Sequence, residues 1–99
     1  MKFAYTRLVT DDVPSLAAFY EGLLGPPLKG SDDYVEFHPG GAILAIVSRK
    51  AAEFMHGGEW VAGANRSAIL EFEVDDVDRE RERIDALVTD WLQQPKDMS

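Results

Sequence analysis

Two stretches of the chain share one pattern of apolar and polar positions. Residues 7–13 read RLVTDDV and residues 71–77 read EFEVDDV. In each copy apolar and polar residues alternate up to a pair of aspartates, after which apolar residues recur at helical spacing. Alternation predicts a strand, and an Asp before a helical run predicts an N-cap. The repeat therefore predicts two copies of one strand–helix unit.

The first copy extends into a longer series of elements. We predict a strand at 2–10 and a helix capped by Asp11 or Asp12 and ended by Gly25. The apolar stripe of that helix is predicted to comprise Leu16, Phe19, Tyr20 and Leu23. A short edge strand is expected at 28–29, followed by a strand at 34–38 and its hairpin partner at 42–48. The last of these is almost continuously apolar, which indicates burial on both faces.

The second copy is shorter. A connector at 49–66 is expected to contain a short helix at 49–55, broken by the Gly57-Gly58 pair. A strand is predicted at 67–74, a helix capped by Asp75 or Asp76 at 76–88, and the start of a further strand at 91–93. The chain thus divides into a first module (1–48), the connector (49–66) and an incomplete second module (67–99), within one domain spanning 1–99.

Composition narrows the possible functions. The 99 residues carry a formal charge of −8 and contain no cysteine. Disulfides and thiolate chemistry are therefore unavailable, and binding of nucleic acid is disfavoured because it relies on basic residues. An acidic surface is compatible with a cationic ligand or with simple solvation. No apolar run reaches the length of a membrane span, so we expect a cytoplasmic protein with no membrane contact.

Two stretches resemble the glyoxalase/bleomycin-resistance/extradiol-dioxygenase (vicinal-oxygen-chelate) superfamily. They are LVTDDV at 8–13 running into AFYEGLLG at 18–25, and LEFEVDDVD at 70–78. The resemblance implies an α+β fold of paired βαβββ modules around a ligand cavity, with a homodimer as the usual assembly. The two strands that close the family's second module are missing here. We therefore expect a second module truncated after its helix.

The resemblance also implies where a metal would be held. Metal-dependent members take His, Gln or Glu ligands from the first and last strands of each module. The corresponding positions here are Tyr5, Ala45 and Ile69, and the fourth lies beyond Ser99. Because Ile and Ala cannot ligate and Tyr is a poor substitute, we expect no metal and no cofactor.

Strand parity predicts which side chains face the cavity. If Tyr5 points inward, Arg7 does too, and if Ile69 does, Glu71 and Glu73 follow. Arg7 and Glu71 are repeat equivalents, and we expect them to pair, either as a ligand anchor or as a structural ion pair. The complete set of predicted ligand-binding residues is Tyr5, Arg7, Tyr34, Glu36, His38, Trp60, Glu71 and Glu73.

These features favour a metal-free protein that binds a small aromatic or cationic molecule, with sequestration of that molecule as the expected role. One alternative is a glyoxalase-like metal-dependent lyase or isomerase, or a dioxygenase-related enzyme. Another is a dimerisation domain without a ligand. No phosphate-binding loop and no Gly-x-Ser-x-Gly motif is present in the sequence.

Overall fold

The computed structural model describes residues 1–63 and 69–88, and the chain forms two compact units, Met1–Ala64 and Asn65–Ser99. The first unit contains a four-stranded sheet and two α-helices. Its elements are β1 (Tyr5–Thr10), α1 (Val13–Leu24), β2 (Lys29–Gly30), β3 (Tyr34–Phe37), a 3-10 turn (Pro39–Gly41), β4 (Ile43–Ser48) and α2 (Arg49–His56). The βαβββ order predicted for the first module is confirmed.

The sheet has the order β1-β4-β3-β2. Strand β4 runs parallel to β1 and antiparallel to β3, while β2 forms the other edge against β3. Strand β1 begins at Tyr5, three residues later than predicted, because the pairing with β4 begins at Tyr5 opposite Ile43. The central place of β4 explains its continuous apolar sequence, since both of its faces are covered.

Helix α1 covers one face of the sheet. Val13 and Ala17 of this helix are buried against a sheet surface made of Val35, Phe37, Leu44 and Ile46. Leu16, Tyr20 and Leu24 complete the contact. The predicted stripe was therefore partly wrong: Leu16 and Tyr20 belong to it, but Phe19 and Leu23 flank it. The buried residues of the helix are instead the smaller Val13 and Ala17, which lie four positions apart on the side that meets the sheet.

Helix boundaries follow from their caps. The Asp12 carboxylate accepts a hydrogen bond from the Ser15 backbone N–H at 3.1 Å, and α1 ends at Gly25 with φ 91°. Ser48 caps α2 in the same way, accepting from the Ala51 N–H at 3.0 Å. These side chains satisfy backbone donors that the first helical turn leaves unpaired.

Helix α2 packs on the opposite face of the sheet. Its buried Ala52 lies with Ala45 and Val47 of β4, and Val9 and Tyr34 are packed against this small cluster. Tyr34, Glu36 and Arg7 share that face by strand parity and register, whereas Val35 and Phe37 meet α1.

The second unit contains α3 (Val77–Ile84), capped by Asp76 as one of the two predicted candidates. The strand predicted at 67–74 is not present at 69–74, where the backbone is irregular. In the first unit the equivalent strand is held by β4, and the described part of the second unit offers no such partner. Residues 67–68 and the strand start predicted at 91–93 lie outside the described residues. In the described ranges no helix is long and apolar enough to span a membrane.

Candidate functional site

The sheet face opposite α1 carries a connected set of polar side chains. We call it the polar face and define it by Tyr5, Arg7, Tyr34, Glu36 and His38. Strand pairing explains why they meet: Arg7 lies beside Ala45, and Ala45 lies beside Glu36 on its other side. Directly paired residues point to the same face of a sheet. The small side chain of Ala45 leaves the space above it to its two neighbours.

Hydrogen bonds join four of these side chains in a row. The Arg7 guanidinium (Nη1) donates to the Tyr34 hydroxyl at 3.1 Å, and that hydroxyl donates to Oε2 of Glu36 at 2.6 Å. Oε1 of Glu36 lies 2.6 Å from Nε2 of His38. Because an ionised carboxylate can only accept, Nε2 carries the hydrogen in this contact. Both oxygens of Glu36 are therefore committed within the chain.

Burial differs sharply along this row. The Glu36 side chain is 4% exposed, whereas that of His38 is 35% exposed. A buried carboxylate is stable only when its oxygens are hydrogen bonded, as they are here. Glu36 is thus the fixed centre of the polar face, and His38 forms its solvent-accessible end.

The Tyr34 and Glu36 ionisation equilibria are both displaced. Hydrogen bonds from Tyr34 and then His38 hold the pKa of the Glu36 carboxyl below its ordinary value, although burial acts in the opposite direction. Burial, followed by the hydrogen bond to Glu36, raises the pKa of the Tyr34 hydroxyl. At neutral pH the pair therefore consists of an ionised Glu36 and a protonated Tyr34.

Two aromatic rings position Arg7. The guanidinium carbon lies 4.3 Å from the centre of the Tyr5 ring and 5.8 Å from that of Tyr34. Contacts of this kind attract a cation to the ring face and limit its rotation. Tyr5 is 40% exposed. The polar face thus presents an oriented cation and an accessible aromatic ring.

The remaining predicted site residues lie elsewhere or cannot be placed against this face. The Trp60 indole N–H donates to the Gly57 carbonyl at 2.8 Å, and its ring meets the edge of His56. These contacts hold Trp60 to its own loop. Glu71 and Glu73 are exposed residues of the second unit. The pairing of Arg7 with Glu71 would join the two units and stays a prediction.

A shallow cavity of about 210 Å³ lies away from the polar row, at the C-terminal end of α1. Apolar side chains and prolines dominate its lining: Leu24, Pro26, Pro27, Leu28, Phe37, His38 and Pro39. Only His38 belongs to both places. We assign the site to the polar face because several charged and hydroxyl groups are held there in fixed orientations by hydrogen bonds. In the lining of the cavity, His38 is the one residue with a polar side chain.

The residues present do not fit a divalent metal. The positions at which the family resemblance puts ligands hold Tyr5 and fully buried Ala45 on the polar face, and exposed Ile69 in the second unit. Glu36 has both oxygens engaged by Tyr34 and His38. Within 1–63 and 69–88, no three His, Cys, Asp or Glu side chains are grouped closely enough to hold an ion.

Two contributors to the site escaped the sequence analysis. The sequence analysis considered Ala45 only as a possible metal-ligand position, yet it lies between Arg7 and Glu36 in the sheet and its small side chain leaves space between them. Lys29 pairs directly with Glu36 across β2 and β3, and so adds a second cation to this face. The signal that could have found Lys29 is the register of the hairpin formed by β2 and β3, whose connection spans residues 31–33. The place of Ala45 beside Arg7 depends on the parallel pairing of β1 with β4, which no local turn defines.

Comparison with known proteins agrees with this architecture. The family model described as Glyoxalase/Bleomycin resistance protein/Dioxygenase superfamily matches residues 2–98. No curated protein matches the chain significantly.

Several solved structures are similar in fold. A glyoxalase/bleomycin resistance protein/dioxygenase from Nocardioides is 21% identical with a TM-score of 0.75, over 98% of this chain and 68% of that one. A solution NMR structure of an Agrobacterium tumefaciens protein is 28% identical with a TM-score of 0.71, over 99% and 81%. Lactoylglutathione lyase from Agrobacterium tumefaciens is 26% identical with a TM-score of 0.56, over 87% and 69%.

Proposed function

The chain belongs to the glyoxalase/bleomycin resistance protein/dioxygenase superfamily, and we propose that it is a metal-free member that binds a small aromatic molecule on its polar face. The observation that carries the proposal is the hydrogen-bonded row from Arg7 through Tyr34 and Glu36 to His38. It fixes the polar groups and the Tyr34 ring in one orientation, and the Tyr5 ring lies against the Arg7 guanidinium. A site whose side chains are held in place before binding loses less entropy when the ligand arrives.

The poor metal-binding chemistry of Tyr5, Ala45 and Ile69, at the positions where the resemblance puts ligands, supports binding over metal-dependent chemistry. The lactoylglutathione lyase neighbour raises the alternative of a glyoxalase-like lyase or isomerase. However, the phenol of Tyr5 and the methyl group of Ala45 occupy two of the places where the resemblance puts ligands. A divalent ion would also have to displace Tyr34 or His38 from Glu36, which breaks short hydrogen bonds in a buried place.

Ligand binding can be tested by NMR titration with a panel of small aromatic molecules. We expect saturable shifts at the backbone amides of Tyr34 and Ala45, which lie within the polar face. Tyr34→Phe should weaken binding because the hydroxyl that orients Arg7 is lost. Tyr20→Phe is the matched control, since Tyr20 packs on the α1 side of the sheet. Shifts confined to the cavity lined by Pro26 and Pro27 would contradict the proposed location.

Metal independence has its own test. After dialysis against a divalent salt and then against buffer, elemental analysis should find far less than one ion per chain. A retained stoichiometric Zn, Ni, Fe or Mn ion would instead favour the metal-dependent alternative. The measurement should be made together with the ligand titration, so that a metal that promotes ligand binding is also detected.

We also propose that the protein assembles as a homodimer. Several large apolar side chains are exposed in the single chain, among them Phe54 at 91% and Ile69 at 84%. Exposed apolar surface of this kind is often covered by a partner subunit. Light scattering at micromolar concentration should give the mass of two chains, and a stable monomer would contradict this.

A further inference from the structure

Arg7 has hydrogen-bond donors for which the described residues, 1–63 and 69–88, provide no acceptor. A guanidinium carries five N–H donors. The bond recorded for Arg7 is the one to the Tyr34 hydroxyl, at 3.1 Å. Within residues 1–63 no carboxylate lies within ion-pair distance of Arg7. In a chain with a net charge of −8, a half-buried cation without an acidic partner in its own unit is an unusual arrangement.

Glu36 does not act as the counter-ion of Arg7, although the two flank Ala45. The Tyr34 hydroxyl stands between them and binds Oε2 of Glu36, while His38 engages Oε1. On the other side of Glu36 lies Lys29, paired with it in the strand register. The row across the sheet therefore contains two cations and one carboxylate whose oxygens are both occupied. The net charge of this row is therefore positive, whereas the net charge of the whole chain is negative.

From this arrangement we propose that Arg7 binds the carboxylate of a small, singly charged aromatic acid, an inference that rests on the proposed function. The planar guanidinium fork matches a carboxylate with two parallel hydrogen bonds. Stacking on Tyr5 and the bond to Tyr34 fix the direction in which the free N–H groups point. A cationic ligand would instead be placed beside Arg7 and Lys29, and the Glu36 carboxylate is buried beneath its bonds to Tyr34 and His38.

The ligand carries one negative charge because Glu36 remains ionised next to Ala45, within the same row. A dianionic group at Arg7 would bring a second charge close to that carboxylate, and like charges repel strongly where solvent is partly excluded. A monoanion neutralises Arg7 with less of this repulsion, because the Coulomb energy scales with the charge that the ligand carries. Carboxylate and phosphate are thereby distinguished by charge, although both fit the guanidinium fork.

The test uses compounds that share one ring and differ in charge: benzoate, benzamide, benzamidine and phenyl phosphate. NMR titration at constant ionic strength follows the amides of Tyr34 and Ala45. We expect benzoate to bind about tenfold more tightly than neutral benzamide, as one good charge-assisted contact provides. Benzamidine should bind more weakly than benzamide, and phenyl phosphate more weakly than benzoate at a pH where it is a dianion.

Substitutions at Arg7 test whether this residue causes the preference for benzoate over benzamide. Arg7→Met should remove the preference for benzoate over benzamide, because it should weaken benzoate binding far more than benzamide binding. Arg49→Met is the matched control, because that guanidinium is already paired with Asp11 at 2.8 Å. Arg7→Lys retains the charge without the fork and should give an intermediate preference, which also covers the case in which Arg7→Met does not fold.

The outcomes separate this inference from the proposed function. Tighter binding of benzamidine than benzoate, or a benzoate affinity unchanged by both Arg7 variants, would overturn the inference and leave aromatic binding intact. Binding of none of the four compounds at the polar face would remove both. Benzoate binding that appears only after Glu71→Ala would show that a carboxylate of the chain itself occupies Arg7, which also overturns the inference.

Discussion

The two copies of the repeated sequence behave differently in the structure. At 7–13 the alternating segment is part of β1, paired along its length with β4, and Asp12 caps α1. At 71–77 the alternating segment forms no strand, yet Asp76 caps α3. The two caps are nearly the same: the aspartates accept from the backbone three residues on, at 3.1 and 3.0 Å.

The comparison separates local from nonlocal structure. A helix cap needs only its own side chain and the next turn of backbone, so it forms wherever the sequence occurs. A strand needs a second strand to receive its hydrogen bonds. The first copy has β4 as that partner, and the described part of the second unit has none. The same pattern therefore produced two elements in one place and one in the other.

The largest effect should come from the matched pair Ile46→Ala and Ile69→Ala. Ile46 is fully buried in β4, whereas Ile69 is 84% exposed. Removing a buried isoleucine side chain costs about 2–5 kcal/mol because a cavity is left. Removing an exposed isoleucine side chain should change the free energy of unfolding by no more than about 0.5 kcal/mol.

Amide hydrogen exchange in β4 and α3 measures each unit separately. If Ile69→Ala destabilised the protein as much as Ile46→Ala, the second unit would have to bury Ile69 in solution. That result would show that the second copy finds a strand partner after all.

The next effect concerns the centre of the polar face. Glu36→Ala removes two charge-assisted hydrogen bonds at a buried position and should cost about 1.5–3 kcal/mol of unfolding free energy. Glu73→Ala, at an exposed position of the second unit, is the control and should be nearly neutral. Denaturant unfolding followed by exchange in β3 provides the measurement. A neutral Glu36→Ala would mean that water replaces Tyr34 and His38 without cost.

The caps should give smaller and more equal effects. Asp12→Ala and Asp76→Ala each remove one capping bond, worth about 1 kcal/mol. Because the caps are alike, we expect similar losses of local helix stability, measured by amide exchange in the first turns of α1 and α3. A cap that matters only in the first unit would show that α3 depends on tertiary contacts more than on its own sequence.

The smallest expected effect is a change in how the unfolding free energy depends on acidic pH when Glu36 is replaced by Gln. The pKa of Glu36 in the folded protein is below its ordinary value because Tyr34 and His38 bind the ionised form. The stability that this provides is fully present above the unfolded-state pKa of about 4.3 and is lost as pH falls through the lower folded pKa. Wild type and Glu36→Gln should therefore converge in unfolding free energy on acidification. If the difference in unfolding free energy between wild type and Glu36→Gln stayed constant with pH, the Glu36 carboxyl would not be preferentially ionised in the folded state.

Part of the candidate site was predictable from alternation alone. Period-two parity puts Tyr34 and Glu36 on one face of β3 and Val35 with Phe37 on the other, because successive side chains in a strand must point in opposite directions. Arg7 belongs to β1, and its place on the same face depends on strand register. Parity could not show that the Tyr34 hydroxyl stands between Arg7 and Glu36, nor that Lys29 joins their row. Those contacts depend on which residues lie opposite one another in neighbouring strands.

The sequence by itself determined the elements that need only neighbouring residues: the caps at Asp12 and Asp76, the helix end at Gly25 and the buried character of β4. Tertiary structure decided the rest. It selected which alternating segment becomes a strand, and through strand register it brought Arg7 and Glu36 to opposite sides of Ala45. The physical reason is the separation of the partners along the chain. A capping hydrogen bond joins residues three positions apart, whereas strand pairing joins residues that are far apart in the sequence.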